Sequence, residues 1–205
     1  MCWASLVPCV GNACPRCGTP LQDPADACLS CIRSSPPQRA TVIWGEHDGV
    51  LRTAILALKH HRRDDLAEPL GFRLAAAVAS TSWAPSIDVV CSVPSHPLRR
   101  FRRPWAAAEL LARAVGRRLD KPVVTLLHRH GLYRQAGNSR ARRLELPRRS
   151  FSASRRACGL TILLVDDVTT TGSTIIRATE ALVRAGAEAV YCAVLAHAPD
   201  SRRIS

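Results

Sequence analysis

Seven of the nine residues from 166 to 174 carry a carboxylate or a hydroxyl: Asp166, Asp167, Thr169, Thr170, Thr171, Ser173 and Thr174. Adjacent carboxylates can accept hydrogen bonds from the vicinal hydroxyls of a sugar. A run of hydroxyls broken by Gly172 can cradle a phosphate, because free N–H groups and the dipole at a helix start favour an anion. Gly172 has no Cβ to hold such a ligand away from the backbone. The combined chemistry is that of a sugar-phosphate site. A strand followed by a Thr/Ser-capped helix would explain the hydroxyls alone, but not two aspartates in front of them. No Gly-x-x-x-x-Gly-Lys-Ser/Thr string occurs, so a P-loop is excluded.

These residues need a strand to deliver them and a helix to receive the phosphate. The apolar, β-branched run 161–165 predicts the strand, and the pattern over 175–184 predicts the helix. A second strand is predicted over 87–93. It leaves through Val93, Pro94, Ser95 and His96 towards Arg99 and Arg100, which puts backbone N–H groups, a hydroxyl and fixed positive charge in one place. That suits a second anionic group, such as a pyrophosphate. In a parallel sheet both turns lie at the C-terminal strand ends, where open α/β sheets bind ligands.

Further strands are expected at 39–44, 122–127 and 189–195. Helices are expected from 48 onward, over 64–79 with Asp64 as N-cap, and over 105–119. Alternating strands and helices without hairpin signals predict an α/β fold, a mostly parallel twisted sheet flanked by helices. The first of these helices ends in Lys59-His60-His61-Arg62-Arg63, which reads either as a solvated basic end or as a place where Lys59 or Arg62 reaches a phosphate. Residues 129–151 have little apolar periodicity. With Arg140 and Arg143 they suit a basic lid over an anionic substrate, or a plain solvated loop.

The chain has 205 residues, 47% of them hydrophobic, enough for one domain with a small appendage. Its net charge of +13 is concentrated between residues 96 and 156, where 17 Lys and Arg face only Glu109, Asp120 and Glu145. The partner should be anionic, a polyphosphate or nucleic acid. Single-stranded DNA is the alternative ligand for this segment, although aromatic residues are only 4% and do not interleave with the arginines. No apolar run is long enough to span a membrane, and residues 1–8 do not read as a secretory signal. The expected location is the cytoplasm.

Four of nine cysteines form a pattern: Cys14-Pro-Arg-Cys17, then Cys28-Leu-Ser-Cys31. Two Cys-x-x-Cys hairpins can bring four thiolates to a tetrahedral Zn²⁺, with Gly18 easing the first turn. A redox pair usually occurs once, and a disulfide framework needs an oxidising compartment. Four thiolates leave no open coordination position, so the site should be structural. Cys2 and Cys9 are too widely spaced for a third pair and read as unliganded; Cys91 reads as core. The expected division is a Cys-rich module with a short stiff linker, 34–37, at its end (1–37), then the main domain (38–205).

The string from Asp166 to Gly172 resembles, without a gap, the phosphoribosyl pyrophosphate (PRPP) motif of type I phosphoribosyltransferases. The chain as a whole resembles the ComF-type phosphoribosyltransferase-like proteins. The resemblance is carried by the four cysteines with Gly18, Ala57-Leu58-Lys59, Val93-Pro94-Ser95-His96-Pro97, Ala108-Glu109-Leu110-Leu111-Ala112, Ser139-Arg140-Ala141-x-Arg143 and residues 163–174. It implies a type I phosphoribosyltransferase fold, a PRPP site with Mg²⁺, transfer to an acceptor, and a link to DNA uptake. On that reading Thr169, Thr170, Thr171, Gly172, Ser173 and Thr174 hold the 5′-phosphate, and Asp166 and Asp167 the ribose. Val93, Pro94, Ser95, His96 and Arg99 face the pyrophosphate. Two departures stand out. An upstream cysteine pair of many relatives is reduced to Cys2 and Cys9, and Arg103-Pro104-Trp105-Ala106-Ala107 replaces the family's Gly-Phe-Asn-Gln. The acceptor implied is a small molecule with a nucleophilic nitrogen, not identified by any motif.

Overall fold

The computed structural model describes residues 13–21, 23, 28–95, 106–130, 147 and 149–198. A short helix α1 (Leu29–Ser34) precedes β1 (Ala40–Glu46), α2 (Gly49–His60), α3 (Ala67–Ala79) and β2 (Val89–Ser92). Next come α4 (Ala107–Leu119), β3 (Leu127–Arg129), β4 (Phe151–Ala153), β5 (Thr161–Thr169), α5 (Ser173–Arg184) and β6 (Ala189–His197). The main sheet has the order β1-β6-β5-β2, and every pair in it is parallel. This is the expected parallel sheet flanked by helices.

β5 runs through the middle of the sheet, so both its faces are covered, and Ile162, Leu163, Leu164 and Val165 are wholly buried. That is why the sequence there is continuously apolar rather than alternating. The period of two then sorts the side chains by face. Leu163 and Val165 pack with α2, α3 and α4, whose buried residues include Leu51, Ile55, Leu58, Leu70, Leu74, Leu111 and Val115. Ile162 and Leu164 pack with α5 through Ile175, Ala178 and Leu182, and with Leu126, Leu127 and Phe151. Along α2, α3 and α4 the buried residues recur at helical spacing, so one stripe of each helix faces the sheet.

Several elements differ from expectation. Residues 122–126 form no strand; they touch the sheet through one isolated bridge, Val90 to Val123. The strand there starts at Leu127 and pairs antiparallel with Phe151–Ala153 as a separate two-stranded ladder. No local hairpin signal could announce this, because the paired residues are 22 to 26 positions apart and the chain between them has no periodicity. Asp64 does not cap a helix. It opens a 3₁₀ turn, Asp64–Leu66, and α3 begins after it. The strand predicted over 87–93 is shorter, at four residues, while β5 continues through both aspartates to Thr169. Cys91 is core, as expected.

The second cysteine pair is not a hairpin: Cys28 stands at the N-cap of α1 and Cys31 lies in that helix. In the stretch after α1, Pro36 and Gln38 are buried. Cys2 and Cys9 lie outside the described residues.

Candidate functional site

The C-terminal ends of β1, β6 and β5 meet at one edge, where Glu46 pairs with His197 and His197 with Thr169. Backbone bonds lace the ends together: His47 N–H donates to His197 O at 2.7 Å, and Ala198 N–H to Thr169 O at 2.8 Å. β2 ends beside β5, with Ser92 opposite Val165, and Val93 N–H donates to Val165 O at 2.9 Å. Val93, Pro94 and Ser95 therefore leave the sheet next to the aspartates. His96 and Arg99 lie outside the described residues, as do Arg140 and Arg143 of the predicted lid.

The strand's alternation separates the two carboxylates. Asp166 follows the face of Leu164 and α5 and is only 8% exposed. Burial pushes its carboxyl up to about 8, and the neighbouring Asp167 charge adds to the rise. A hydrogen bond from Asp167 N–H to Asp166 Oδ1 at 2.9 Å, with the charges of Lys59 and Arg129, works in the opposite direction. Asp167 follows the face of α2 and pairs with Lys59 Nζ at 2.7 Å. Lys59, in the last turn of α2, thus meets a carboxylate; the basic helix end is only partly solvated.

Beyond Asp167 the chain turns into α5. Gly172 is its N-cap with φ 75° and ψ −2°, a left-handed conformation that side chains with a Cβ adopt at a cost. A Cβ there would meet nothing within 4 Å, so the backbone angle, not protein crowding, calls for glycine. Gly172 supplies no side-chain cap, and the first N–H groups of a helix have no intrahelical partner. Thr171 Oγ1 bonds Ser173 Oγ at 2.8 Å, gathering hydroxyls at this end. Among the predicted residues, Asp166, Asp167, the loop 169–174, Lys59 and residues 93–95 are gathered at one sheet edge.

Two histidines that the motif reading passed over stand at the same edge. His47 follows β1, and burial, with Lys59 and Arg52 nearby, lowers its pKa. His197 ends β6 and is lowered by burial, which a bond to the Thr170 backbone and the Glu46 charge partly offset. Applying the strand-end rule to β1 and β6, and not only to β5 and β2, would have found both.

The cysteines form a second cluster. Sγ atoms of Cys14 and Cys31 are 3.6 Å apart, those of Cys17 and Cys28 3.5 Å, and all four lie within 4.8 Å of one another. A tetrahedron with Zn–S of about 2.3 Å has edges of about 3.8 Å, so the donor set fits a tetrahedral metal. Burial pushes the thiols of Cys17 and Cys31 up. At Cys14 burial is outweighed by hydrogen bonds from the Cys17 and Arg16 backbone together with those of the Cys31 and Cys17 side chains, which bring the thiol to about 7.

Residues 106–204 match the phosphoribosyl transferase domain family. Over 193 residues the chain is 30% identical to the DNA utilization protein YhgH of Salmonella typhi, covering 87% of this chain and 81% of that protein. Competence protein F of Haemophilus influenzae is 28% identical over 198 residues, covering 90% and 84%. Among solved structures, the allosteric regulatory enzyme of purine biosynthesis aligns with a TM-score of 0.48 at 21% identity, over 69% of this chain and 30% of that one.

Proposed function

This chain belongs to the ComF family of phosphoribosyltransferase-like proteins, and from that premise we propose that it binds PRPP at the sheet edge and transfers the phosphoribosyl group to an acceptor nitrogen. The observation that carries the reading is the single β5–α5 turn. It presents Asp166 and Asp167 and then a glycine-hinged hydroxyl loop opening a helix, with the end of β2 alongside.

On this reading the 5′-phosphate occupies Thr169–Thr174, where helix N–H groups and hydroxyls donate to it. Asp166 and Asp167 accept from the ribose hydroxyls. The pyrophosphate lies towards Val93, Pro94 and Ser95, with His96 and Arg99 as further candidates. Mg²⁺, held mainly by substrate oxygens and water, supplies charge neutralisation to the pyrophosphate. The anomeric C–O bond to pyrophosphate breaks, a C–N bond to the acceptor forms, and the acceptor nitrogen loses its proton. The protein's part is positioning and stabilising a ribose that becomes cation-like. The four cysteines hold a structural Zn²⁺.

Isothermal titration with PRPP and Mg²⁺ tests the reading. Saturable binding by the wild type and its loss in Asp166→Ala/Asp167→Ala are expected. No heat of binding, or equal affinity of both proteins, overturns it.

A second reading has its own observation. Two relatives carry names tied to DNA utilization and competence, and His130, Arg149, Arg155 and Arg184 line an open groove of about 610 Å³. Such a groove suits a single-stranded phosphodiester backbone. Oligonucleotide affinity should then fall steeply with salt, and a flat response counts against it.

A further inference from the structure

We propose that Gln38 and Thr41 are positioning residues that couple the cysteine cluster to the phosphate loop, so that metal and sugar-phosphate ligand each tighten the other's binding. The proposal rests on the PRPP reading above.

The cysteine turn is fastened to β1 rather than loosely tethered. Thr41 N–H donates to Pro15 O at 2.9 Å, and Thr41 Oγ1 donates to Arg16 O at 2.8 Å. Gly18, at φ 74°, lies so close to β1 that a Cβ would come within 2.6 Å of Ile43 Cδ1. Both carbonyl acceptors, Pro15 and Arg16, lie between the metal-holding Cys14 and Cys17. Whatever fixes those two thiols fixes the acceptors of Thr41.

The hydroxyl of Thr41 has one proton, and Arg16 takes it. Towards the Gln38 amide, whose Nε2 stands at 3.5 Å, Thr41 Oγ1 can therefore only accept. The contact is long, and it favours the orientation that turns Nε2 to Thr41 and Oε1 away from it. Gln38 is 2% exposed, and its Oε1 is the one buried side-chain oxygen or nitrogen without a partner among the described residues. A buried carbonyl without a donor is costly and calls for a use.

Gln38 lines a small cavity whose volume is about 30 Å³. Its lining includes Cys17, Thr19, Gln38 and Thr41 together with Thr169, Thr170, Thr171 and Gly172. The space has room for a water molecule, which can donate to Gln38 Oε1 and meet the threonine loop. Metal-bearing turn, Thr41, Gln38 and phosphate loop thus form one polar path. Neither metal nor ligand needs to touch the other for their affinities to be linked, and the linkage is reciprocal.

The test measures the rate at which a chromophoric chelator removes zinc from the purified full chain, with and without saturating PRPP and Mg²⁺. Calorimetry on the same proteins reports PRPP binding independently. In the wild type, PRPP should slow zinc release by about 5-fold or more, within the usual range of such couplings. Gln38→Leu and Thr41→Val should still hold one zinc and still bind PRPP, with the slowing reduced to less than about 2-fold. Asp166→Asn/Asp167→Asn controls for chelation by free PRPP, and its release rate should be indifferent to PRPP.

A wild type that binds PRPP but releases zinc at an unchanged rate overturns the coupling alone. Failure to bind PRPP overturns the coupling and the reading beneath it. Variants that lose zinc or stability while keeping the full PRPP effect assign Gln38 and Thr41 a merely structural role and overturn the proposal.

Discussion

The two faces of the main sheet are covered in different ways. On one, α2, α3 and α4 bring a continuous apolar layer built on leucine, isoleucine and alanine. On the other, α5 covers the middle, the β3–β4 ladder packs at one side, and the cysteine turn packs on β1. The first face is mainly core, with the Lys59–Asp167 pair at its end. The second is patched from small elements, and every patch borders something chemical. Asp166 points to that face, α5 opens with the hydroxyl loop, and the cysteine turn reaches Thr41. The difference teaches where this fold places its small elements: on the face with fewer helices, around α5 and the hydroxyl loop that opens it.

The comparison can be broken most sharply at the cysteines. Replacing Cys17 by serine removes one of four close donors, and elemental analysis should find one zinc per wild-type chain and almost none in the variant. Circular dichroism should retain the helices of the opposite face. A collapse of helicity with metal loss would show that the two faces are not separable.

The helical face should fail differently. Leu74→Ala removes a wholly buried side chain from α3 and should cost about 2–5 kcal/mol by denaturant unfolding. Zinc stoichiometry of the folded variant should be unchanged. A cost under about 1 kcal/mol would contradict the packing assigned to that face.

Asp166 gives a smaller, pH-dependent effect. Its folded carboxyl titrates near 8 and its unfolded one near 4. Between those values the folded chain keeps a proton that the unfolded chain has lost. Stability from this group is therefore present at low pH and declines as pH rises through that window. The ligand-free wild type should lose on the order of 2 kcal/mol more than Asp166→Asn between pH 6 and pH 8. His47 and His197 titrate in both proteins, so they cancel in that difference. Parallel pH profiles would refute the burial of Asp166.

Lys59→Met, breaking the 2.7 Å pair with Asp167, should have the smallest effect on stability, about 1 kcal/mol or less, because both groups keep some contact with solvent. A larger loss would mean that the pair fastens the end of α2 to β5.

Much of this was legible in the sequence, for identifiable reasons. β5 and the loop after it could be read because a buried central strand is continuously apolar and the hydroxyl string is local. The helices α2, α3 and α4 could be read because helical periodicity is local too. The β3–β4 ladder could not, since its register is set by packing between segments far apart in sequence. The separation of Asp166 from Asp167 followed from strand alternation, once β5 was known to continue through both. Gln38 and Thr41 carried no signal of their own; only the docking of the cysteine turn on β1 gives them meaning.

The central claim is that the β5–α5 turn holds PRPP. A crystal structure of the chain with PRPP and Mg²⁺ tests it most directly. The 5′-phosphate should lie within hydrogen-bond distance of Thr169–Thr174, with ribose hydroxyls on Asp166 and Asp167. PRPP bound elsewhere, or an unliganded turn at concentrations that saturate calorimetry, would contradict the account.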